Sequence, residues 1–262
     1  MTIPRGLYVA AIAALALLVL PIVGLVSRVH WPTLGADLFS PESLNALGLS
    51  LVTATCATVL CLVVGMPLAV VIARSSPRIA GALRTVVLVP LVLPPMVGGL
   101  ALLSLLGRSG LLGKPLYEAT GFSLPYTTAA VVLAQAFVAL PFLVVAIEGA
   151  LRTSGTTHEQ IAATLGAGRW RVLTRVTLPL ILPGLAGGTV LCFARALGEF
   201  GATALFAGNA AGVTRTMPLA IYTAFNGVGV TQDSAVALSL LLLVSAAVIV
   251  GGLRSWREDA VR

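Results

Sequence analysis

Arg195 and Glu199 stand in the stretch CFARALGEFGAT, well inside an apolar run. A charge at that depth in a bilayer costs ~3 kcal/mol or more unless it is paired or hydrated, so both residues are functional suspects. Their i, i+4 spacing permits a salt bridge along one helix. The pair fits a structural staple between packed helices, or a functional role in which Arg195 offers a positive site to a translocated anion or the pair holds a gate. Gly198 and Gly201 beside them favour close helix packing. The second concentration of chemistry is the only long polar segment, Arg152 to Arg175, RTSGTTHEQIAATLGAGRWRVLTR. Thr156 precedes Glu159 by three residues and Thr157 precedes Gln160 by three, so either threonine can open a helix through a capping box. Ile161 and Leu165 then form a narrow apolar stripe. Gly166 and Gly168 offer a chain reversal, after which Arg169, Arg171 and Arg175 alternate with Trp170, Leu173 and Val176 at helical spacing. A helix, a glycine elbow and a second helix are expected, closed by Pro179 and Pro183. Such a segment either is an ordinary loop whose arginines fix topology or presents a face that lies along a membrane surface or packs on a helix bundle.

Other chemistries lack their residues. His30 and His158 are the only histidines, each in a polar stretch and, on the topology below, on opposite sides of the membrane. That leaves no cluster for a membrane-embedded enzyme or a metal. Cys56, Cys61 and Cys192 all lie in apolar runs and read as packing residues. No GxxxxGK[ST] loop is present, so the chain binds no ATP by that route. The net charge of +7 comes from basic residues scattered beside apolar runs, without the interleaved aromatics that hold bases, and nucleic acid is not an expected partner.

The elements that position these residues are membrane spans. The 262 residues are 58% hydrophobic and 10% charged, with mean hydropathy +1.04, far from the composition of a soluble domain. Apolar runs long enough to cross as helices cover residues 7–27, 44–73, 85–106, 126–150, 178–206 and 233–253. The first run exceeds the apolar core of a signal peptide and lacks a small-x-small end, so it is read as a span. The third is broken by Pro90, Pro94 and Pro95 with Gly98 and Gly99 behind; it either lines a cavity or carries a simple kink. Residues 28–43, 107–125 and 207–232 are expected outside, the last with turns at Gly208, Gly212, Gly227 and Gly229 around a short apolar piece from Met217 to Tyr222. Eleven basic residues (Arg5, Arg74, Arg78, Arg84, Arg152, Arg169, Arg171, Arg175, Arg254, Arg257 and Arg262) fall on one side, and four (Arg28, Arg108, Lys114 and Arg215) on the other. That asymmetry places both termini and the polar segment in the cytoplasm. The expected fold is an all-α membrane protein of six transmembrane helices, one domain over 1–262. An ion-gradient-driven transporter would need an internal repeat and intramembrane ion ligands, and only one charged pair lies at depth.

With Gly166 as anchor, Gln160-Ile161-Ala162 lies six to four residues before it, and Val176-Thr177-Leu178-Pro179 begins ten after it. This resembles the EAA loop of ABC importer permeases, a Glu-Ala-Ala, three residues, Gly, nine residues, then Ile-x-Leu-Pro. Gly166, Leu178 and Pro179 match in register. Gln160 stands at the Glu position and the acid is one place upstream, at Glu159, ~100° around a helix. The run ARALGEFGAT, FAGN and TRTMPLAIY is similar to the fifth-span region of molybdate-type permeases; sulfate permeases share the acid-containing helix and AGN turn but match the TRTMPLAIY end less closely. The resemblance implies a type I ABC importer permease fold in a prokaryotic plasma membrane and an importer of molybdate or tungstate, with sulfate or thiosulfate as the alternative substrate. It implies a homodimer that binds no cofactor itself, two cytoplasmic ATPase subunits that bind ATP and Mg²⁺, and a periplasmic or lipid-anchored oxyanion-binding protein. It also implies that Gln160, Ala162, Gly166, Arg169, Leu178 and Pro179 belong to the ATPase-coupling loop, about 152–178, with Glu159 substituting for the displaced acid. Arg195 and Glu199 are assigned to the pathway or its gate.

Overall fold

A computed structural model describes residues 4–227 and 232–259; Gly229 and Arg262 lie outside the described residues. The described residues form helices and turns with no strand. The chain opens with α1, Arg5–Ser27, and α2, Trp31–Leu38, a short helix in what the sequence suggested was only a loop. α3, Pro41–Arg74, is 34 residues long, about 51 Å at ~1.5 Å per residue. Its start is well specified: Ser40 Oγ accepts the Ser43 N–H at 3.2 Å, Pro41 follows, and Glu42 sits in the first turn, while Arg74 complements the dipole at the other end.

α4, Pro77–Val92, and α5, Pro95–Leu106, are the broken third run, and their axes differ by 111°. Pro94 forces Leu93 out of the helical region, and neither Pro94 nor Pro95 has an N–H to carry a helix through. The simple kink is thereby excluded. α6, Gly113–Thr120, ends at Gly121, whose φ of 71° is left-handed. α7, Thr128–Ser154, begins where Thr127 Oγ1 accepts the Ala130 N–H and is the most buried of the long helices.

The polar segment folds as α8, Thr157–Thr164, then α9, Arg169–Val172, a five-residue π turn, Leu173–Thr177, and α10, Leu178–Leu180. α11, Leu182–Leu197, leaves this assembly at 72°, and α12, Gly201–Phe206, follows after a break at Gly198–Phe200. The fifth expected run, 178–206, thus holds three helices, α10, α11 and α12. α13, Met217–Phe225, and α14, Gln232–Asp259, complete the chain. Three single helices, two bent pairs and the apolar part of α14 carry the six apolar runs.

α7 is the central post, with α3 and α11 packed along it. Small residues allow this. On α11 a Cβ on Gly184 would lie 2.4 Å from Ala150 Cβ, and one on Gly188 would lie 2.8 Å from Ala146 Cβ, so a Gly-xxx-Gly pair faces an Ala-xxx-Ala pair. Without a hydrophobic effect between helices in lipid, such close approach is what holds them. At the other end Gly99 and Gly201 let α5 and α12 meet: a Cβ on Gly99 would be 2.8 Å from the Ala202 carbonyl oxygen. α1 differs from the rest, since no residue of its apolar stretch is buried within this chain.

Candidate functional site

The polar segment between α7 and α11 is built from the residues the sequence singled out, with some changes of role. The capping box does not form: no side chain caps α8, and Gln160 Nε2 reaches back only to Thr156 Oγ1 at 3.4 Å. The C-terminal elbow is as expected. Gly166 has φ 83°, its N–H donates to the Ala163 carbonyl, and the Ala167 N–H donates to the Ala162 carbonyl, both at 3.0 Å. That double bond is a Schellman closure, which needs a left-handed residue at the position of Gly166. The apolar stripe does not pack inward. Ile161, Leu165 and Trp170 all point into solvent, Leu165 at 83% and Trp170 at 76% exposure. Beside them Arg169, Arg171 and Arg175 line an open groove of about 620 Å³ with Gly166, Gly168 and Trp170. The exposed tryptophan and leucine on this basic turn form an apolar patch of the kind that marks interaction surfaces.

The one-residue shift of the acid has the consequence helical geometry dictates. Gln160 faces out and Glu159 faces in. Glu159 Oε1 accepts from Arg74 Nη2 at 2.5 Å and from Thr177 Oγ1 at 2.8 Å. Ala162 and Leu178 are partly buried beside it, and Pro179 is exposed. Just inward, Glu148 on α7 is buried and receives Arg84 of α4 through two nitrogens, Nε at 3.2 Å, and Arg152 Nε at 2.8 Å. Arg74, Arg84 and Arg152, which the sequence used only to orient the chain, therefore have specific partners. Their separations of 85 and 64 residues in two of the three cases put those pairs beyond any local pattern.

Within the membrane the expected Arg195–Glu199 pair forms, Nη2 to Oε2 at 2.7 Å. Glu199 is 1% exposed, and its other oxygen accepts the Ala202 N–H at 2.8 Å. The acid thus satisfies a backbone donor opened by the α11–α12 break and is neutralised by Arg195, which keeps a partly exposed side chain. Beyond α12, the FAGN and TRTMPLAIY pieces close on each other. Arg215 Nε donates to Asn209 Oδ1 at 3.0 Å, Asn209 Nδ2 to Thr223 Oγ1 at 2.9 Å, and the Ala210 N–H to Thr214 Oγ1 at 2.9 Å. The Met217 N–H, at the start of α13, donates to buried Ser50 Oγ of α3 at 2.6 Å. No local signal in the sequence marks Ser50 as an acceptor. Between α3 and α11 lies an apolar groove of about 510 Å³, lined by Thr55, Thr58, Leu62, Thr189 and Phe193 among others. Among the described residues no three His, Cys, Asp or Glu side chains gather as metal ligands.

Residues 65–258 match the family model described as "Binding-protein-dependent transport system inner membrane component". The chain is 54% identical over 251 residues, 95% of its length and 93% of the relative's, to the molybdenum transport system permease protein ModB of Mycobacterium tuberculosis. It is 42% identical over 205 residues to the protein of the same name from Escherichia coli, covering 78% of this chain and 89% of that one. Among solved structures, a chain of a bacterial ABC transporter that imports the acidic polysaccharide alginate superposes with TM-score 0.72 at 20% identity, over 98% of this chain and 94% of that one. A chain of the inward-facing MetNI methionine ABC transporter superposes with TM-score 0.65 at 18% identity, over 84% of this chain and 96% of that one.

Proposed function

The chain belongs to the family of binding-protein-dependent transport system inner membrane components, and on that premise we propose that it is the molybdate-carrying permease of an ATP-driven importer. It is a non-catalytic, multi-pass subunit of the plasma membrane. Two copies form the pathway, with both termini cytoplasmic. The apolar groove between α3 and α11, whose threonine hydroxyls turn back onto their own helix carbonyls, faces its counterpart in the second copy. Two ATPase subunits bind ATP and Mg²⁺ and grip the segment from α8 to α10, which carries Gln160, Ala162, Gly166, Arg169, Leu178 and Pro179, with Gln160, Gly166, Arg169 and Pro179 exposed on it. A binding protein delivers the oxyanion, molybdate or tungstate, to the outer side. Arg195 and Glu199 brace the pathway at the α11–α12 break.

The observation that carries this reading is the exposed Leu165 and Trp170 on the Schellman-closed, arginine-flanked turn. Neither side chain does work inside the chain, and a rigid turn passes a push from outside to α7 and α11, which it joins. The identity to molybdenum transport permeases supports the substrate.

The test is ATPase activity of the complete assembly in liposomes, with molybdate, tungstate or sulfate loaded on the binding protein, for wild type and Leu165→Asp. Stimulation by molybdate or tungstate but not sulfate, lost in Leu165→Asp together with ATPase retention, is expected. Stimulation by sulfate alone overturns the substrate; an assembly indifferent to Leu165→Asp overturns the docking face.

A further inference from the structure

Glu159 occupies a junction that a docking residue would not need. Its Oε1 holds Arg74, the last residue of α3, and Thr177, the last residue of the π turn, at the same time. Thr177 is buried and its hydroxyl donates to the carboxylate, so this is an interior contact on a segment otherwise open to solvent. The π turn matters here. It is a single wide turn within one helix that runs from Arg169 to Leu180, the kind of local irregularity found at functional sites. A push on the elbow travels along this helix and then through the 72° change of direction at Ile181 into α11. A second path reaches the far end of the π turn directly: from α8 through Glu159 to Thr177, and sideways to α3.

We propose that Glu159 is an internal strut, a positioning residue that ties the coupling helix α8 to α3 through Arg74 and to the root of α11 through Thr177, so that both spans move with α8. The inference rests on the coupling reading above but changes the role of the acid. Shifted one place from its position in the EAA pattern, it turns ~100° away from the docking face, where Gln160 stands, and works inside the subunit.

The test uses the complete assembly in liposomes with wild type, Glu159→Gln, Arg74→Gln, Thr177→Val and the exchange Arg74→Glu/Glu159→Arg. Two quantities are read: the amount of ATPase subunit retained, and the ratio of ATPase rates with and without molybdate-loaded binding protein. Retention within about twofold of wild type is expected in every variant, because none of these side chains is on the docking face. The ratio falls by about fivefold or more in each single variant, the lower range of an allosteric coupling. It recovers in the exchange, since the Thr177 hydroxyl accepts as readily as it donates. Thr177→Val is nearly isosteric and removes only the hydrogen bond, which keeps the test decisive if a charge variant assembles poorly. Loss of ATPase retention in Glu159→Gln but not in Arg74→Gln overturns the strut, as does an unchanged ratio in Thr177→Val. If instead Leu165→Asp leaves both quantities intact, the coupling reading itself fails and the strut falls with it.

Discussion

Adding one methyl group at Gly184 tests the packing on which the rest of the molecule hangs. A Cβ there would stand 2.4 Å from Ala150 Cβ, with the Ala150 Cα at 3.7 Å, so the clash is with a single methyl carbon that has no rotamer to escape into. Non-bonded carbons settle at ~3.5–4.0 Å, which leaves a shortfall of about 1.1–1.6 Å for the α7–α11 contact to absorb. Overpacking of this kind costs ~1–3 kcal/mol, partly offset by the better helix propensity of alanine, ~0.8 kcal/mol or more. In a chain of this size that is a drop of several degrees in apparent Tm, at ~2–4 °C per kcal/mol. The discriminating variant is Gly184→Ala combined with Ala150→Gly, which moves the methyl from one helix to the other and removes the clash. Thermal scans in detergent of the four proteins of this cycle are expected to show Gly184→Ala less stable than wild type and the double variant recovering most of the loss. A Gly184→Ala protein as stable as wild type, or a double variant no better than the sum of its parts, refutes the close α7–α11 contact.

Arg195→Met is expected to destabilise strongly, by ~3–5 kcal/mol, because it strands the carboxylate of Glu199 in the interior. Adding Glu199→Gln is expected to restore much of the loss, since the amide oxygen still accepts the Ala202 N–H; membrane yield and apparent Tm of the two variants check this. Ser50→Ala removes the acceptor of the buried Met217 N–H, with an expected loss of ~1–3 kcal/mol. The matching observation is faster hydrogen exchange at the start of α13, and protection equal to wild type would show that the bond is not made.

How much of this was legible follows from the range of each force. Six apolar runs, the helix–elbow–helix of residues 157–172 and the Arg195–Glu199 pair are written in local patterns: hydropathy over a bilayer's thickness, a glycine after a periodic stripe, a spacing of four. Each is decided within about twenty residues and survives whatever the rest of the chain does. The prolines at 90, 94 and 95 announced a break but not its angle. The 111° turn of α5 is set by where Gly99 and Gly201 let α5 and α12 touch. Which helix the Gly184–Gly188 face meets depends on Ala146 and Ala150 of α7, which no spacing announces. The arginines show the division most clearly. Their distribution along the chain predicts an orientation, because basic residues next to spans are retained on the cytoplasmic side. Their partners do not follow from that. Glu159 for Arg74 and Glu148 for Arg84 are chosen by side chains brought together from 85 and 64 residues away, so the same residues that set topology become an ion pair and a strut only once the helices have packed.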